Sequence, residues 1–168
     1  VPGYVADLSE SQQVFLLARA LAAVATGLHT ALKLSPGEVA AVVAASVRRL
    51  VPAFEEGHHD AERLNMLQQL LSPSWFSRGR VDEIVYRYYA EPVDIVAWAP
   101  TVERTITRAA ALLCGDLDGA VAALRYAGAV AADARGSSLV SRAPLVEDLL
   151  RFWMSDTAVE LRRAARLV

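Results

Sequence analysis

Residues 14 to 29 read VFLLARALAAVATGLH, and this stretch decides the fold. Apolar residues occupy most of its positions, which is too many for a helix that buries only one face. We therefore expect the stretch to form a largely buried helix at the centre of the domain. Arg19 and His29 interrupt the apolar run, so we expect no membrane span here.

Capping signals place two helices at the start of the chain. Ser9 and Gln12 have the spacing of a capping box, so the first helix is predicted to run from there to Lys33 unless Gly27 ends it early. The sequence Ser35-Pro36-Gly37-Glu38 contains a second box, with proline at the first helical position. Because the connection between the helices is short, we expect them to form an antiparallel hairpin.

Helical spacing of apolar residues continues through the rest of the chain. Val81 to Tyr89 keeps this spacing, although its residue types also favour strands. Pro100 either kinks a long helix or starts one at its first position. Gly115 and Asp116 are suited to end one helix and cap the next. The sequence therefore predicts an all-α fold, a single compact domain over residues 1–168 with seven to eight helices, in which the hairpin packs on the later ones.

Composition and charge limit the range of partners. Of the 168 residues, 54% are hydrophobic and 21% are charged, so part of the apolar surface is expected to contact a protein partner or the remainder of a longer parent chain. Trp75 and Phe76, in a connector, are the first candidates for that contact. The net charge of −2 attracts no phosphates, so we expect no nucleic-acid partner. Cys114 is the single cysteine, which suits a reducing compartment such as the cytoplasm.

Few residues resemble a catalytic or metal site. The adjacent His58 and His59 lie among acidic residues, but nothing in their spacing fixes the three or four convergent ligands that a specific metal site needs. Cys114 is followed closely by Asp116, which opposes the positive surroundings of a reactive thiolate. The run Gly136 to Ser138 lacks the strand and helix that flank a nucleophilic serine. We therefore expect no cofactor, no bound metal and no catalytic residue.

One helix of a metallopeptidase family resembles the opening stretch. Residues 15 to 23, FLLARALAA, resemble the FLLGHELGH helix of the gluzincin metallopeptidases. In those enzymes the two histidines bind zinc and the glutamate between them is the general base. Arg19 and Ala23 stand at the histidine positions here, and Ala20 stands at the position of the base. The resemblance therefore implies a zinc helix without its chemistry.

A second segment carries the same resemblance. Residues 103 to 113, ERTITRAAALL, resemble the ELxADRAGLL helix of that family, whose glutamate is the third zinc ligand. Glu103 matches this ligand, whereas Thr107 replaces the usual acidic residue. A lone carboxylate cannot hold a catalytic zinc, which needs three protein ligands and an open position. If Arg19 and Glu103 face each other, we expect an ion pair to replace the metal.

A group of bacterial proteins resembles the chain over most of its length. Together with the two helices above, three further segments resemble the C-terminal region of large bacterial tetratricopeptide-repeat proteins: Leu112 to Leu117, Asp148 to Phe152 and Glu160 to Arg163. There, a similar peptidase-derived helical region has also lost its zinc ligands. The resemblance implies a non-catalytic interaction or scaffolding domain. The alternative is a helical ligand-binding or enzymatic domain with a pocket built from dispersed residues.

Overall fold

The computed structural model describes residues 3–54, 60–71, 81–131 and 133–167. Over these residues the chain forms helices and no strand, which confirms the all-α prediction. The α-helices are α1 (Glu10–Ala25), α2 (Pro36–Leu50), α3 (Ala61–Leu70), α4 (Val81–Ala90), α5 (Ile95–Cys114), α6 (Leu117–Tyr126), α7 (Ser137–Ser141), α8 (Pro144–Trp153) and α9 (Asp156–Ala164). The short α7 begins within the run Gly136 to Ser138.

The helices belong to two compact units. One consists of Val1–Leu32 together with Val102–Val168, and the other consists of Lys33–Thr101. Helix α1 lies in the first unit and α2 in the second. The antiparallel hairpin and the single domain therefore both stay predictions, and each unit is described by itself.

The first unit has a core built largely from alanine. In it α1 packs on α6, and α8 packs on both α7 and α9. Phe15, Leu124 and Leu149 are fully buried large side chains of this core. The other members are mostly small and are Ala18, Ala110, Ala111, Ala120, Ala123, Val130, Ala134, Ala143 and Val146. Small side chains allow close approach of helix axes, because the interaxial distance depends on the residues at the contact.

Helix α1 begins and ends at the signals found in the sequence. The Ser9 backbone N–H donates to Gln12 Oε1 at 2.9 Å, and the Gln12 backbone N–H donates to Ser9 Oγ at 3.4 Å, which confirms the capping box. The helix ends at Ala25 rather than Lys33, because Gly27 adopts φ +72°. The Leu28 N–H then reaches the Ala23 carbonyl at 2.9 Å, which completes a Schellman motif.

The predicted burial of α1 is wrong. Its buried side chains are Phe15, Ala18 and Ala23, whereas Leu21 is 68% exposed and Val24 is 63% exposed. The neighbouring helices of the unit contact one side of α1, and that side is filled by Phe15 and alanines. The sequence prediction failed because a high apolar content indicates preference for burial but not the number of neighbours available.

The second unit is organised around α2, which packs on α3 and α4. Ser35 and Glu38 form the predicted capping box, with the Ser35 N–H donating to Glu38 Oε2 at 2.8 Å. Asp60 caps α3, and its side chain accepts a hydrogen bond from the Glu62 backbone N–H at 3.0 Å. Residues 81 to 90 are helical, so the helical spacing outweighs the strand preference there. The core contains Ala41, Ala44, Ala45, Val47, Phe54, Leu64 and Val85.

Helix α5 is the longest described helix and carries Pro100 in its interior. It therefore begins before the proline, and the Ala97 N–H donates to Asp94 Oδ1 at 2.9 Å at its start. Despite this length, none of the described helices has both the extent and the apolar character needed to cross a membrane.

Candidate functional site

Arg19 and Glu103, the positions singled out by the resemblance, form an ion pair in the first unit. Arg19 is on α1 and Glu103 is on α5, and Arg19 Nη2 lies 2.5 Å from Glu103 Oε1. The Arg19 side chain is 22% exposed and that of Glu103 is 46% exposed. The contact expected if these residues face each other is therefore present. That it stands where a metal once bound stays a prediction.

Two buried polar atoms lie on the same two helices. They are Arg19 Nε and Thr107 Oγ1, and neither has a hydrogen-bond partner among the residues that the structure describes. Thr107 is 1% exposed and follows Glu103 by one helical turn, so both residues lie on one face of α5. A buried hydroxyl without a partner costs free energy, because it loses its hydrogen bonds to water.

The remaining positions of the resemblance offer no reactive group. Ala23 is buried, and Ala20, at the position of the general base, is exposed. Neither side chain has a lone pair, and a permanently charged arginine repels a metal cation. The arrangement can neutralise Arg19 and Glu103 against each other, and the two alanines add no base or nucleophile to it.

Several of the other candidate residues for a metal site or a partner contact lie outside the part of the chain that the structure describes. No cluster of three or more His, Cys, Asp or Glu side chains suited to a metal occurs in residues 3–54, 60–71, 81–131 and 133–167. His58 and His59 lie outside the described residues, as do Trp75 and Phe76. The expectation that the two histidines form no specific metal site and the predicted partner contact of the two aromatic residues both stay predictions.

Cys114, at the end of α5, is held as a thiol. Its Sγ lies 3.2 Å from the Ser11 carbonyl oxygen, to which the S–H can donate. Burial raises the pKa of the Cys114 thiol, and the negative charge of Asp116 acts in the same direction. A thiolate is therefore disfavoured, which agrees with the sequence interpretation that this cysteine is not a nucleophile.

A second ion pair of the first unit was missed by the sequence analysis. Arg108 on α5 binds Asp148 on α8 through two contacts, Nε to Oδ2 at 2.9 Å and Nη2 to Oδ1 at 2.5 Å. The guanidinium also lies over the Phe152 ring, 5.3 Å from its centroid. Forty residues separate the partners. No local spacing could have predicted such a contact.

Surface hollows next to charged residues are open rather than enclosed. One of about 190 Å³ beside Asp148 is lined by Arg104, Pro144, Glu147 and Arg151. Its two arginines are balanced by two carboxylates, so it has no net attraction for ions of one sign. A larger one of about 470 Å³ in the second unit is lined mainly by polar residues of α3, Asp60 to Gln69. Ligand sites usually enclose their ligand, and these hollows are open to solvent.

The outer side of α1 carries an apolar surface that the sequence analysis did not anticipate. Val14, Leu17, Leu21 and Val24 are all exposed and follow one another at helical spacing on one face of the helix. We call this set of four the α1 apolar face. The four residues follow one another in the sequence at intervals of three, four and three. This spacing is difficult to recognise there, because the neighbouring positions are apolar as well.

Comparison with models of known protein families, with curated proteins and with solved structures gives no match to this chain. The resemblance to degenerate metallopeptidase helices and to the repeat proteins therefore rests on the short motifs quoted above.

Proposed function

We propose that this chain is a non-catalytic helical interaction or scaffolding domain of the cytoplasm, a peptidase-like fold without a zinc site that binds protein through the α1 apolar face. The observation that carries the proposal is the exposure of four large apolar side chains on a helix whose opposite side forms part of a core. Contiguous exposed apolar patches on soluble proteins commonly mark interaction sites.

The state of the polar residues supports the non-catalytic part of the proposal. Arg19 and Glu103 neutralise each other. Cys114 has a raised pKa. An active site usually assembles a base, a nucleophile or a metal in a cleft, and the pairing and protonation of these groups leave them unsuited to such work.

Binding through the α1 apolar face is tested by comparing three forms of the protein as baits. They are the wild type, the variant Leu17→Gln/Leu21→Gln and the control variant Ile84→Gln, which replaces an exposed apolar residue of α4. Quantitative affinity purification from cells that naturally contain the protein should recover a partner with the wild type and the control, but not with the α1 variant. Recovery of the same proteins by all three baits would overturn the assignment of this face.

The absence of a zinc site is tested by titrating the purified protein with zinc, followed by removal of excess metal and elemental analysis. We expect well below one equivalent of retained zinc in the wild type and in a Glu103→Gln variant. One equivalent retained by the wild type and lost in the variant would reinstate Glu103 as a ligand and overturn the non-catalytic proposal.

A further inference from the structure

The α1 apolar face has the spacing of a two-stranded coiled-coil seam. Val14, Leu17, Leu21 and Val24 follow one another at intervals of three, four and three residues, which places them at alternating a and d positions of a heptad. All four are exposed in the chain by itself. The surface that fits such a seam is another helix with the same spacing.

The pattern is also symmetric about its centre. Val14 and Val24 lie five residues to either side of Arg19, and Leu17 and Leu21 lie two residues to either side. Arg19 itself is on the opposite side of α1, where it binds Glu103. If two copies of α1 pack antiparallel, each valine meets the other valine position and each leucine meets the other leucine position. A two-fold dimer requires this kind of self-complementarity.

The negative charge at the N-terminal end of the face favours the antiparallel arrangement. Glu10, exposed at the N-terminal end of α1, is in line with the four apolar residues, and the exposed His29 follows their C-terminal end. A parallel pair would bring Glu10 against Glu10 of the other copy. An antiparallel pair instead brings each Glu10 towards the other copy's His29. Between these ends the exposed flanking residues Ala20 and Ala25 are small and uncharged, so they allow a second helix to approach closely.

We propose that the α1 apolar face binds the same face of a second copy of this chain, antiparallel, to form a two-fold homodimer. This rests on the proposed function, because it uses the same face and names its partner. One helix per copy buries less surface area than the roughly 800 Å² that each partner buries in a standard stable interface. The dimer is therefore weak and reversible, with a dissociation constant on the order of 100 μM.

The association is tested by sedimentation equilibrium from about 10 μM to about 1 mM protein, a range that brackets the expected constant. The wild type and Ile84→Gln should shift from monomer to dimer over this range. Leu17→Gln/Leu21→Gln should weaken the association by tenfold or more, since it removes both leucine contacts from each copy. Glutamine is a good helix former, and unchanged circular dichroism and thermal unfolding of the variant verify that α1 is retained.

The orientation is tested by mixing two single-cysteine variants, Val14→Cys and Val24→Cys, each in a Cys114→Ser background, under mild oxidation. The antiparallel dimer predicts that the mixed disulfide between positions 14 and 24 forms at least severalfold faster than either homotypic disulfide. Faster homotypic disulfides would overturn the antiparallel arrangement.

Two results would overturn dimerisation through the α1 apolar face. They are a wild type that stays monomeric at about 1 mM, and a dimer that is unaffected by Leu17→Gln/Leu21→Gln. Either result leaves the proposed function standing if the affinity purification still shows a different partner that depends on the α1 apolar face, so the two proposals fail separately.

Discussion

Arg19 uses one terminal nitrogen for its ion pair with Glu103, while its Nε is buried without a partner among the described residues. Such a pair is expected to contribute little, because Glu103 is about half exposed and solvent screens the attraction. We predict a coupling free energy of about 0.5–1 kcal/mol in a double-mutant cycle of Arg19→Met and Glu103→Gln, falling as salt is added. Urea unfolding at low and high ionic strength measures it.

The exposed pair Arg151 and Glu147, one turn apart on α8, is the matched control for this cycle. A helical pair of this kind typically contributes about 0.3–0.5 kcal/mol. A coupling for Arg19 and Glu103 no larger than that of the control would show that the pair between helices stabilises the fold no more than an exposed pair within one helix.

At Thr107, in contrast, we predict that removing a polar group increases the stability of the fold. Its Oγ1 is buried without a partner among the described residues, so the folded state loses the hydrogen bonds that water gives this hydroxyl. Thr107→Val keeps the shape and removes the hydroxyl, and we predict an increase in the free energy of unfolding of about 1 kcal/mol. Thr26→Val is the control, because Thr26 Oγ1 donates to the Ala22 carbonyl at 2.7 Å, and it should not stabilise. A destabilised Thr107→Val would show that the hydroxyl has a partner, such as a buried water.

At the scale of single residues, the sequence alone predicted only some of the side-chain contacts of the candidate site. The pairing of Arg19 with Glu103 was expected only because a family resemblance had put the two positions side by side. Arg108 and Asp148 each lie in a segment that carries the resemblance, but the resemblance did not pair them, and side chains forty residues apart meet only through the tertiary fold. The buried polar atoms without a hydrogen-bond partner among the described residues, Arg19 Nε and Thr107 Oγ1, could not be predicted either. Whether a buried group finds a hydrogen-bond partner depends on all of its neighbours in the fold.

Single elements were more predictable than single contacts. Both capping boxes and the Asp116 cap followed from patterns of a few residues, because a cap is formed within one turn of its own helix. The exposed side of α1 could not be predicted in this way. Which side of a helix is covered depends on the other helices that pack against it. The local sequence of α1 does not show how many such helices there are.

The contact between α1 and α6 depends on the absence of a side chain at Gly119. A Cβ placed there would lie 2.6 Å from the Cβ of Ser11, closer than real Cβ atoms approach. We predict that Gly119→Ala lowers the free energy of unfolding by about 1–3 kcal/mol, since the helices must separate or strain. Gly37→Ala in α2 is the matched control, with no atom within 4 Å of its added Cβ, and it should stabilise by about 0.5–1 kcal/mol. Thermal unfolding that shifts in the same direction for both variants would contradict this packing.

The cap of α6 makes stability depend on pH. Hydrogen bonds from the Gly119 backbone N–H, the Ser11 side chain and the Asp118 backbone N–H lower the pKa of Asp116 below its ordinary 3.8. The carboxylate contributes its full stabilisation above that ordinary value, and the contribution is lost as the pH falls through the lower folded pKa. Urea unfolding between about pH 6 and pH 3 should therefore show a smaller loss of stability for Asp116→Asn than for the wild type. Equal losses would mean that this carboxylate is not linked to folding.

At the scale of the whole molecule, the two units do not simply follow one another along the chain. The first unit is formed from both ends of the chain, Val1–Leu32 and Val102–Val168, and the second from the stretch between them. Length and composition predicted one domain, since 168 residues fit a single core. In the structure, each unit has a cluster of buried apolar residues of its own. Core clusters of this kind can open separately, so the number of cooperative units becomes a measurable property.

Two core truncations distinguish separate units from one cooperative domain. Leu124 in α6 is fully buried in the first unit, and Leu64 in α3 is 2% exposed in the second. Each change to alanine should cost about 2–5 kcal/mol where its cavity forms. If the units open separately, native-state hydrogen exchange will accelerate in α6 and α8 for Leu124→Ala, and in α2 and α3 for Leu64→Ala. If both variants accelerate exchange equally throughout, the two clusters unfold as one, and the single domain predicted from the sequence is the correct description of cooperativity.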